Sequence, residues 1–258
     1  MAMDIEAAVR DFWAEHQAGR HCPPLWRGRL SMEEAYAVQL AMLDRQVAAG
    51  ERQAGWKVGL TAAAMRAQQG VFEPCFGYLL ESGEVASGHI FAFDDLIAPG
   101  FENELCLTVG TALRGPDVGL DEVRAAVTHA APALEIIEKR GAFAADLPMA
   151  MADNAQQKAF VVGKPVRLDD DNGDLARAEV AVYVNDRLAE RASGAAVMDA
   201  GALLSVQWLA NRLASFGRHI EAGARIMSGS FTRQYAIARG DVVRAEFTPF
   251  GVVEARFA

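Results

Sequence analysis

Glu102 and Glu104 stand two residues apart in Phe101-Glu102-Asn103-Glu104-Leu105. Side chains of a strand alternate between faces, so an E-x-E pair there projects both carboxylates from one face, about 6.6–6.8 Å apart along the backbone. Flexible glutamates at that separation can reach a single ion. Magnesium takes oxygen ligands at about 2.0–2.1 Å and keeps waters that a substrate can displace. Glu135 offers a third oxygen donor from Pro132-Ala133-Leu134-Glu135-Ile136-Ile137, an apolar run in which a carboxylate is costly unless its charge is compensated. No His/Cys cluster points to structural zinc, so the metal chemistry suggested is that of a hard cation held by oxygen. The residues alone leave two other readings: a solvated strand face for Glu102 and Glu104, and an ion pair of Glu135 with Lys139 or Arg140. Asp153 and Asn154 can brace a loop, orient a water or support metal ligands, or can form a plain Asx turn. Lys57, in Gly55-Trp56-Lys57-Val58-Gly59-Leu60-Thr61, reads either as a catalytic group or as an exposed strand lysine.

Strands must hold the glutamates, and the surrounding pattern supplies them. Over 101–109, Leu105, Leu107 and Val109 share one face, while Glu102, Glu104 and Cys106 share the other. Further strands are predicted over 133–137, 159–163 and 178–184, with Asn185-Asp186 as a hairpin tip before Leu188. Asp4 can cap a first helix with Ile5, Val9, Phe12 and His16 on one side. Cys22-Pro23-Pro24 then breaks the helical pattern. Ser31 and Glu34 form a capping box for a second helix, with Tyr36, Leu40, Leu43 and Val47 as its buried stripe and Gly50 ending it. Short helices are expected from Thr61 to Gln69 and after Asp121, the latter carrying Val123 and Val127. Asp199 is expected to cap a late helix that buries Leu203, Val206, Leu209, Leu213 and Phe216. The class is mixed α/β with substantial antiparallel character, divided into a smaller N-terminal α/β region over 1–90 and a β-rich, metal-binding catalytic domain over 91–258.

Composition agrees with a folded chain: of 258 residues, 52% are hydrophobic and 23% charged. A net charge of −9, with Lys and Arg dispersed, argues against a nucleic-acid partner. Cys22, Cys75 and Cys106 are odd in number and far apart, which predicts reduced, buried thiols and no disulfide framework. Asp4, Glu6 and Asp11 leave no basic leader, and no apolar run reaches the roughly 18 residues of a membrane span, so a cytoplasmic protein is expected. Gly55 and Gly59 lack the spacing of a nucleotide loop. His16, His21, His89, His129 and His219 form no local catalytic motif.

Taken in order, these landmarks resemble the fumarylacetoacetate-hydrolase superfamily, in particular its 2-keto-4-pentenoate hydratase and 2-oxo-3-hexenedioate decarboxylase branch. The matching pieces are Gly55 to Thr61, Gly70-Val71-Phe72-Glu73-Pro74 with Gly77, Glu102 with Glu104, Ala133 to Ile137, Ala152-Asp153-Asn154-Ala155, and Ser228-Gly229. The resemblance implies a fumarylacetoacetate-hydrolase-like β-rich catalytic domain, a Mg2+ or Mn2+ ion held by Glu102, Glu104 and Glu135, an active-site Lys57, and a homo-oligomer. Three departures stand out. Cys75 precedes Phe76-Gly77 where relatives often carry a carboxylate, the acidic landmark near Glu81-Ser82 is altered, and Val197-Met198-Asp199-Ala200 replaces a Gly-His-Pro segment.

The reaction expected first is hydration of a 2-hydroxy-2,4-dienoate (2-keto-4-pentenoate type) to a 4-hydroxy-2-oxo acid, in the catabolism of aromatic-ring cleavage products. Lys57 and Asp153 are the catalytic candidates, and Lys57, Ser230 and Thr232 the substrate-binding ones. The alternative is a 2-oxo-3-hexenedioate (4-oxalocrotonate) decarboxylase, which needs a cation such as Lys57, Arg140, Lys158 or Arg233 for a second carboxylate. A ligand-binding homologue without turnover is the nonenzymatic reading.

Overall fold

The computed structural model describes residues 4–141 and 143–258. Its helices are α1 (Ile5–Gln17), α2 (Met32–Ala48), α3 (Ala63–Gln69), α4 (Leu120–Ala126), α5 (Leu147–Ala152) and α6 (Leu203–Ala214). Asp4 Oδ1 accepts the Ala7 N–H at 3.0 Å, and Ser31 and Glu34 form the reciprocal capping box, so both N-terminal helices start where their side chains require. Tyr36, Leu40 and Leu43 are buried on α2, whereas Val47, in its last turn, is 45% exposed.

The first strands are β1 (Gln53–Gly59), β2 (Cys75–Leu80), β3 (Glu84–Ala86), β4 (His89–Phe91) and β5 (Pro99–Val109). The middle of the chain adds β6 (Val127–Glu138), β7 (Gln157–Val162), β8 (Val166–Arg167), β9 (Glu179–Val184) and β10 (Arg187–Ser193). Last come β11 (Arg225–Met227), β12 (Tyr235–Ala236), β13 (Val242–Thr248) and β14 (Gly251–Phe257). One sheet runs β2-β1-β11-β5-β6-β7-β3, with β12 on β5 and β8 on β6; a second runs β10-β9-β13-β14-β4. Asn185 and Asp186, both with positive φ, turn the β9–β10 hairpin as expected.

Two local expectations give way to tertiary context. Val127 opens β6 instead of lining α4, whose N-cap is Gly119 and whose first turn contains Asp121. Asp199 does not cap α6; it lies in a distorted turn at φ 58°, and Ala202 takes the cap position without a side-chain bond. Strands β1, β2 and β3, before residue 90, share a sheet with β5, β6 and β7 after it.

That sheet is strongly curled. Neighbouring strands lie about 4.7–4.9 Å apart, so β1 and β6, three steps removed, would be about 14 Å apart on a flat sheet. Lys57 on β1 nevertheless places Nζ 3.3 Å from Glu135 Oε1 on β6, and the sheet bends into a half-barrel to allow it. Asn154 helps close the remaining gap: its Oδ1 accepts the Tyr78 N–H at 2.8 Å and its Nδ2 donates to the Tyr78 carbonyl at 3.0 Å. The outer face carries Phe101, Leu105, Leu107, Leu134 and Ile136 in the main core. Inside the bore, Leu79, Cys106, Ala131, Ala133, Phe160 and Met227 form a separate apolar cluster.

The curl depends on close backbone approach between β1 and β11, which pair in parallel at Gly55↔Arg225. A Cβ on Gly55 would lie 1.8 Å from the Arg225 carbonyl oxygen, an overlap no side-chain shift relieves. Gly55→Ala is therefore expected to destabilise the protein by about 3 kcal/mol or more, at the upper end of overpacking costs. A urea-denaturation midpoint within error of the natural protein would show that the β1–β11 pairing is not built this way.

Candidate metal centre

Glu102 and Glu104 leave β5 on the bore face, and Glu102 is opposite Glu135 in the β5–β6 register. One carboxylate oxygen from each of the three glutamates lies within 4.8 Å of the others. Glu104 and Glu135 are fully buried, while Glu102 keeps partial exposure and marks the open side. The Gly229 N–H donates to Glu104 Oε2 at 2.8 Å. Gly229 takes φ +110°, and a Cβ there would strike Thr61 at 2.5 Å, so glycine is the residue that lets this backbone reach the carboxylate.

The polar accounting is incomplete without a cation. Glu104 Oε1 and Glu135 Oε2 are buried and accept no hydrogen bond, a costly state for carboxylate oxygens among Ala133, Phe160 and Met227. Burial, with Glu135 and Glu102 nearby, holds the Glu104 carboxyl well above its ordinary range. Burial raises Glu102 and Glu135 as well, although Lys57 pulls both back. Lys57 is 4% exposed, which excludes a solvated lysine. Burial would depress its ammonium, but Glu135, followed by Cys75, Glu102 and Glu104, outweighs that and shifts it upward. Three anions and one cation sum to −2, the deficit a divalent cation removes. Oxygen donors, orphaned lone pairs and this balance all fit a hard divalent ion.

The other expected residues are placed differently. Asp153 faces Arg140, whose Nε donates to Oδ2 at 2.6 Å, and His21, whose Nδ1 is 3.2 Å from Oδ1. Burial would raise the Asp153 carboxyl, but Arg140 and His21 overcome this and hold it below its ordinary range. Arg140 also donates to Glu138 Oε2 at 3.1 Å. Ser230 Oγ donates to the Asn103 carbonyl at 3.4 Å, and Thr232 Oγ1 accepts from Asn103 Nδ2 at 2.5 Å. Asn103 alternates with the two glutamates, so Thr232 lies with the opposite face of β5. Arg233 is 73% exposed, and Lys158 sits 3.6 Å from Glu138. All three cysteines are free and buried; burial pushes the Cys75 thiol up to about 11. Gly229 and Thr61 were not among the candidates, and only the Ser228-Gly229 landmark hinted at the former.

With this geometry in view, sequence and structure comparisons agree. Residues 80–258 match the model described as fumarylacetoacetate (FAA) hydrolase C-terminal. A 4-oxalocrotonate decarboxylase from Pseudomonas putida is 35% identical over 230 residues, covering 88% of this chain and 86% of the relative. The chain belongs to the fumarylacetoacetate hydrolase family. A 2-oxo-hept-4-ene-1,7-dioate hydratase from Escherichia coli is 32% identical over 236 residues, covering 88% of this chain and 87% of that protein. Among solved structures, 4-oxalocrotonate decarboxylase from Pseudomonas putida G7, complexed with magnesium and adipate, superposes with a TM-score of 0.92 at 31% identity, covering 100% of this chain and 99% of that one. The family fold and the hydratase/decarboxylase branch expected from the landmarks are thus both met. Among the described residues, no helix is long and apolar enough to cross a membrane.

Two outcomes follow. Raised carboxyl groups bind protons in the folded state that the unfolded chain has released, so metal-free stability falls as pH rises above the ordinary glutamate value of 4.5. At pH 8, Glu104→Gln should raise the metal-free melting midpoint and remove the gain that Mn2+ gives the natural protein, about 2.7 kcal/mol at a hundredfold excess over Kd. A Glu104→Gln protein that still gains fully from Mn2+ would refute the ligand role. Asp153 has the opposite sign: its lowered carboxyl stabilises the fold above the ordinary aspartate value of 3.8, and that contribution is lost as pH falls through the lower folded value. Asp153→Asn, which leaves Arg140 short of a partner, should cost about 3 kcal/mol at pH 7. Urea melts should show this difference shrinking below pH 4; a constant difference would argue against the ion pair.

Proposed function

We propose that this chain is a divalent-metal-dependent lyase acting on a small conjugated 2-oxo acid, with decarboxylation of a 2-oxo-3-hexenedioate (4-oxalocrotonate) type substrate as its principal reaction. The single observation that carries the lyase reading is the buried trio Glu102, Glu104 and Glu135 facing Lys57, with carboxylate oxygens that nothing in the chain satisfies. The order of the two reactions rests on the relatives. The sequence alone favours hydration; the similarity to 4-oxalocrotonate decarboxylases, in sequence and over the whole fold, favours the carboxy-lyase. Hydration is the second reading, supported by the similarity to the Escherichia coli hydratase.

Mg2+ or Mn2+, held by the three glutamates, would supply a Lewis acid for the carboxylate and keto oxygens of the substrate and stabilise negative charge on the 2-oxygen. The chain's own residues do the rest. Glu135 keeps the Lys57 ammonium inside the bore, where it can orient the substrate or hold a proton for the 2-oxygen. In the decarboxylation, the bond to the distal carboxylate breaks and carbon dioxide leaves. The electron pair passes through the conjugated chain to the 2-oxygen, which takes up one proton to give 2-hydroxypenta-2,4-dienoate. The apolar cluster of Leu79, Ala133, Phe160 and Met227 closes one end of the bore and keeps bulk water from that side. Asp153 supports the site indirectly, by anchoring the turn whose Asn154 ties down β2.

Product analysis separates the readings. Purified protein with Mn2+ and 2-oxo-3-hexenedioate should release one carbon dioxide per substrate consumed and yield 2-hydroxypenta-2,4-dienoate. Formation of a 4-hydroxy-2-oxo acid from a 2-hydroxydienoate, without carbon dioxide, moves the assignment to the hydratase. Absence of any metal-dependent turnover with either substrate would overturn the lyase reading.

A further inference from the structure

A dicarboxylate substrate presents a second carboxylate, which calls for a cation besides Lys57, itself paired with Glu135. Arg66, Arg140 and Arg212 have side chains no more than 16% exposed. Arg140 has Asp153 at 2.6 Å and Glu138 at 3.1 Å, and Arg212 has Glu33 at 2.5 Å and Glu73 at 3.5 Å. Arg66 differs. Its Nη1 donates to the Leu60 and Thr61 carbonyls at 3.1 and 2.6 Å, and among the described residues its one acidic neighbour within 4.0 Å, the 63% exposed Asp199, is 3.8 Å from Nη2. A largely buried guanidinium held by neutral carbonyls, with a distant and solvated counterion, is under-neutralised.

Its location matters equally. Arg66 lies on α3, directly after the strand that carries Lys57. The carbonyl it grips belongs to Thr61, which packs on Gly229, and the Gly229 N–H holds Glu104. Arg66 is therefore fixed to the wall of the metal centre through two residues. The two carbonyl bonds engage Nη1 and leave Nη2 as a directional donor edge for a carboxylate.

We propose that Arg66 is the seat for the distal carboxylate of the substrate, with Asp199 as a weak intramolecular competitor that the substrate displaces. This residue then makes the centre selective for dicarboxylates over monocarboxylates. The inference rests on the metal-centre reading and adds a specificity determinant to it.

Adipate and hexanoate, six-carbon acids that differ in one carboxylate, test it by calorimetric titration of the Mn2+-loaded protein. The natural protein should bind adipate about tenfold or more tightly than hexanoate, the scale of one charge-assisted contact. Arg66→Gln should bring that ratio to within about twofold of unity, and Asp199→Asn, which keeps Arg66 and its carbonyl bonds, should tighten adipate about twofold or more. Mn2+ uptake without an adipate preference, a preference that survives Arg66→Gln, or no tightening in Asp199→Asn overturns the Arg66 seat while leaving the metal centre standing. Failure to take up Mn2+ at all removes the metal reading, and this proposal falls with it.

Discussion

Like charges confined in a carbon-lined space set the terms for everything else in this molecule. Three carboxylates with oxygens within 4.8 Å of one another repel, and at an effective dielectric near 20 each such pair costs about 3–4 kcal/mol. Lys57 offsets only part of this. The polypeptide has two ways out: it can hold extra protons on Glu104 and Glu135, or it can hold a cation. Protons relieve the repulsion only by giving up the negative charge that makes the cluster a site. A divalent ion relieves it with every glutamate ionised, which is why the arrangement makes chemical sense around an ion and little sense as a structural core.

The fold can be read as the apparatus that imposes this unfavourable proximity. Adjacent antiparallel strands bring Glu102 opposite Glu135 by register, a local matter. Lys57 arrives by a longer route, because β11, drawn from residues 225–227, is inserted between β1 and β5. The curl this demands closes on the Asn154 amide, which pairs with the Tyr78 backbone much as a strand residue would. Asp153, one residue earlier, is fixed by Arg140, so an ion pair outside the bore stabilises the turn that completes it. The apolar cluster below the glutamates then removes the alternative of solvating them from beneath.

Much of this was legible in the residue order, and the limits are physical. Alternation placed Leu105 and Leu107 opposite Glu102 and Glu104, because a strand's side-chain period is fixed at two whatever the strand pairs with. The Ser31–Glu34 box and the Asn185-Asp186 turn were legible for the same reason: their hydrogen bonds or dihedral preferences are local. Strand order is not local, so nothing in 53–59 announces that it will lie beside 225–227 or that Lys57 will meet Glu135. Val127 suited both a helical stripe and a β-branched strand, and pairing with β5 decided it. Asp199 looked like a helix cap, but Gly201 at φ +117° turns the chain before α6 begins. The pairing of Asp153 with Arg140 was not legible, because thirteen residues separate them, too far for any spacing rule to join them.

Hydration and decarboxylation draw on the same stabilised charge at the 2-oxygen, so the glutamates and Lys57 cannot by themselves choose between them. The choice must be made where the substrate's far end lies and where water can enter. The apolar cluster blocks one end of the bore, and Glu104 and Glu135 are wholly buried, which leaves the side of partly exposed Glu102 as the approach. Thr61 packs on Gly229, whose N–H holds Glu104, and Asp199 in its distorted turn lies 3.8 Å from Arg66. Cys75, at the start of β2, is a buried thiol that burial keeps protonated. The floor of the candidate centre is thus set by the curled sheet, and its surroundings by short segments that the sheet merely carries.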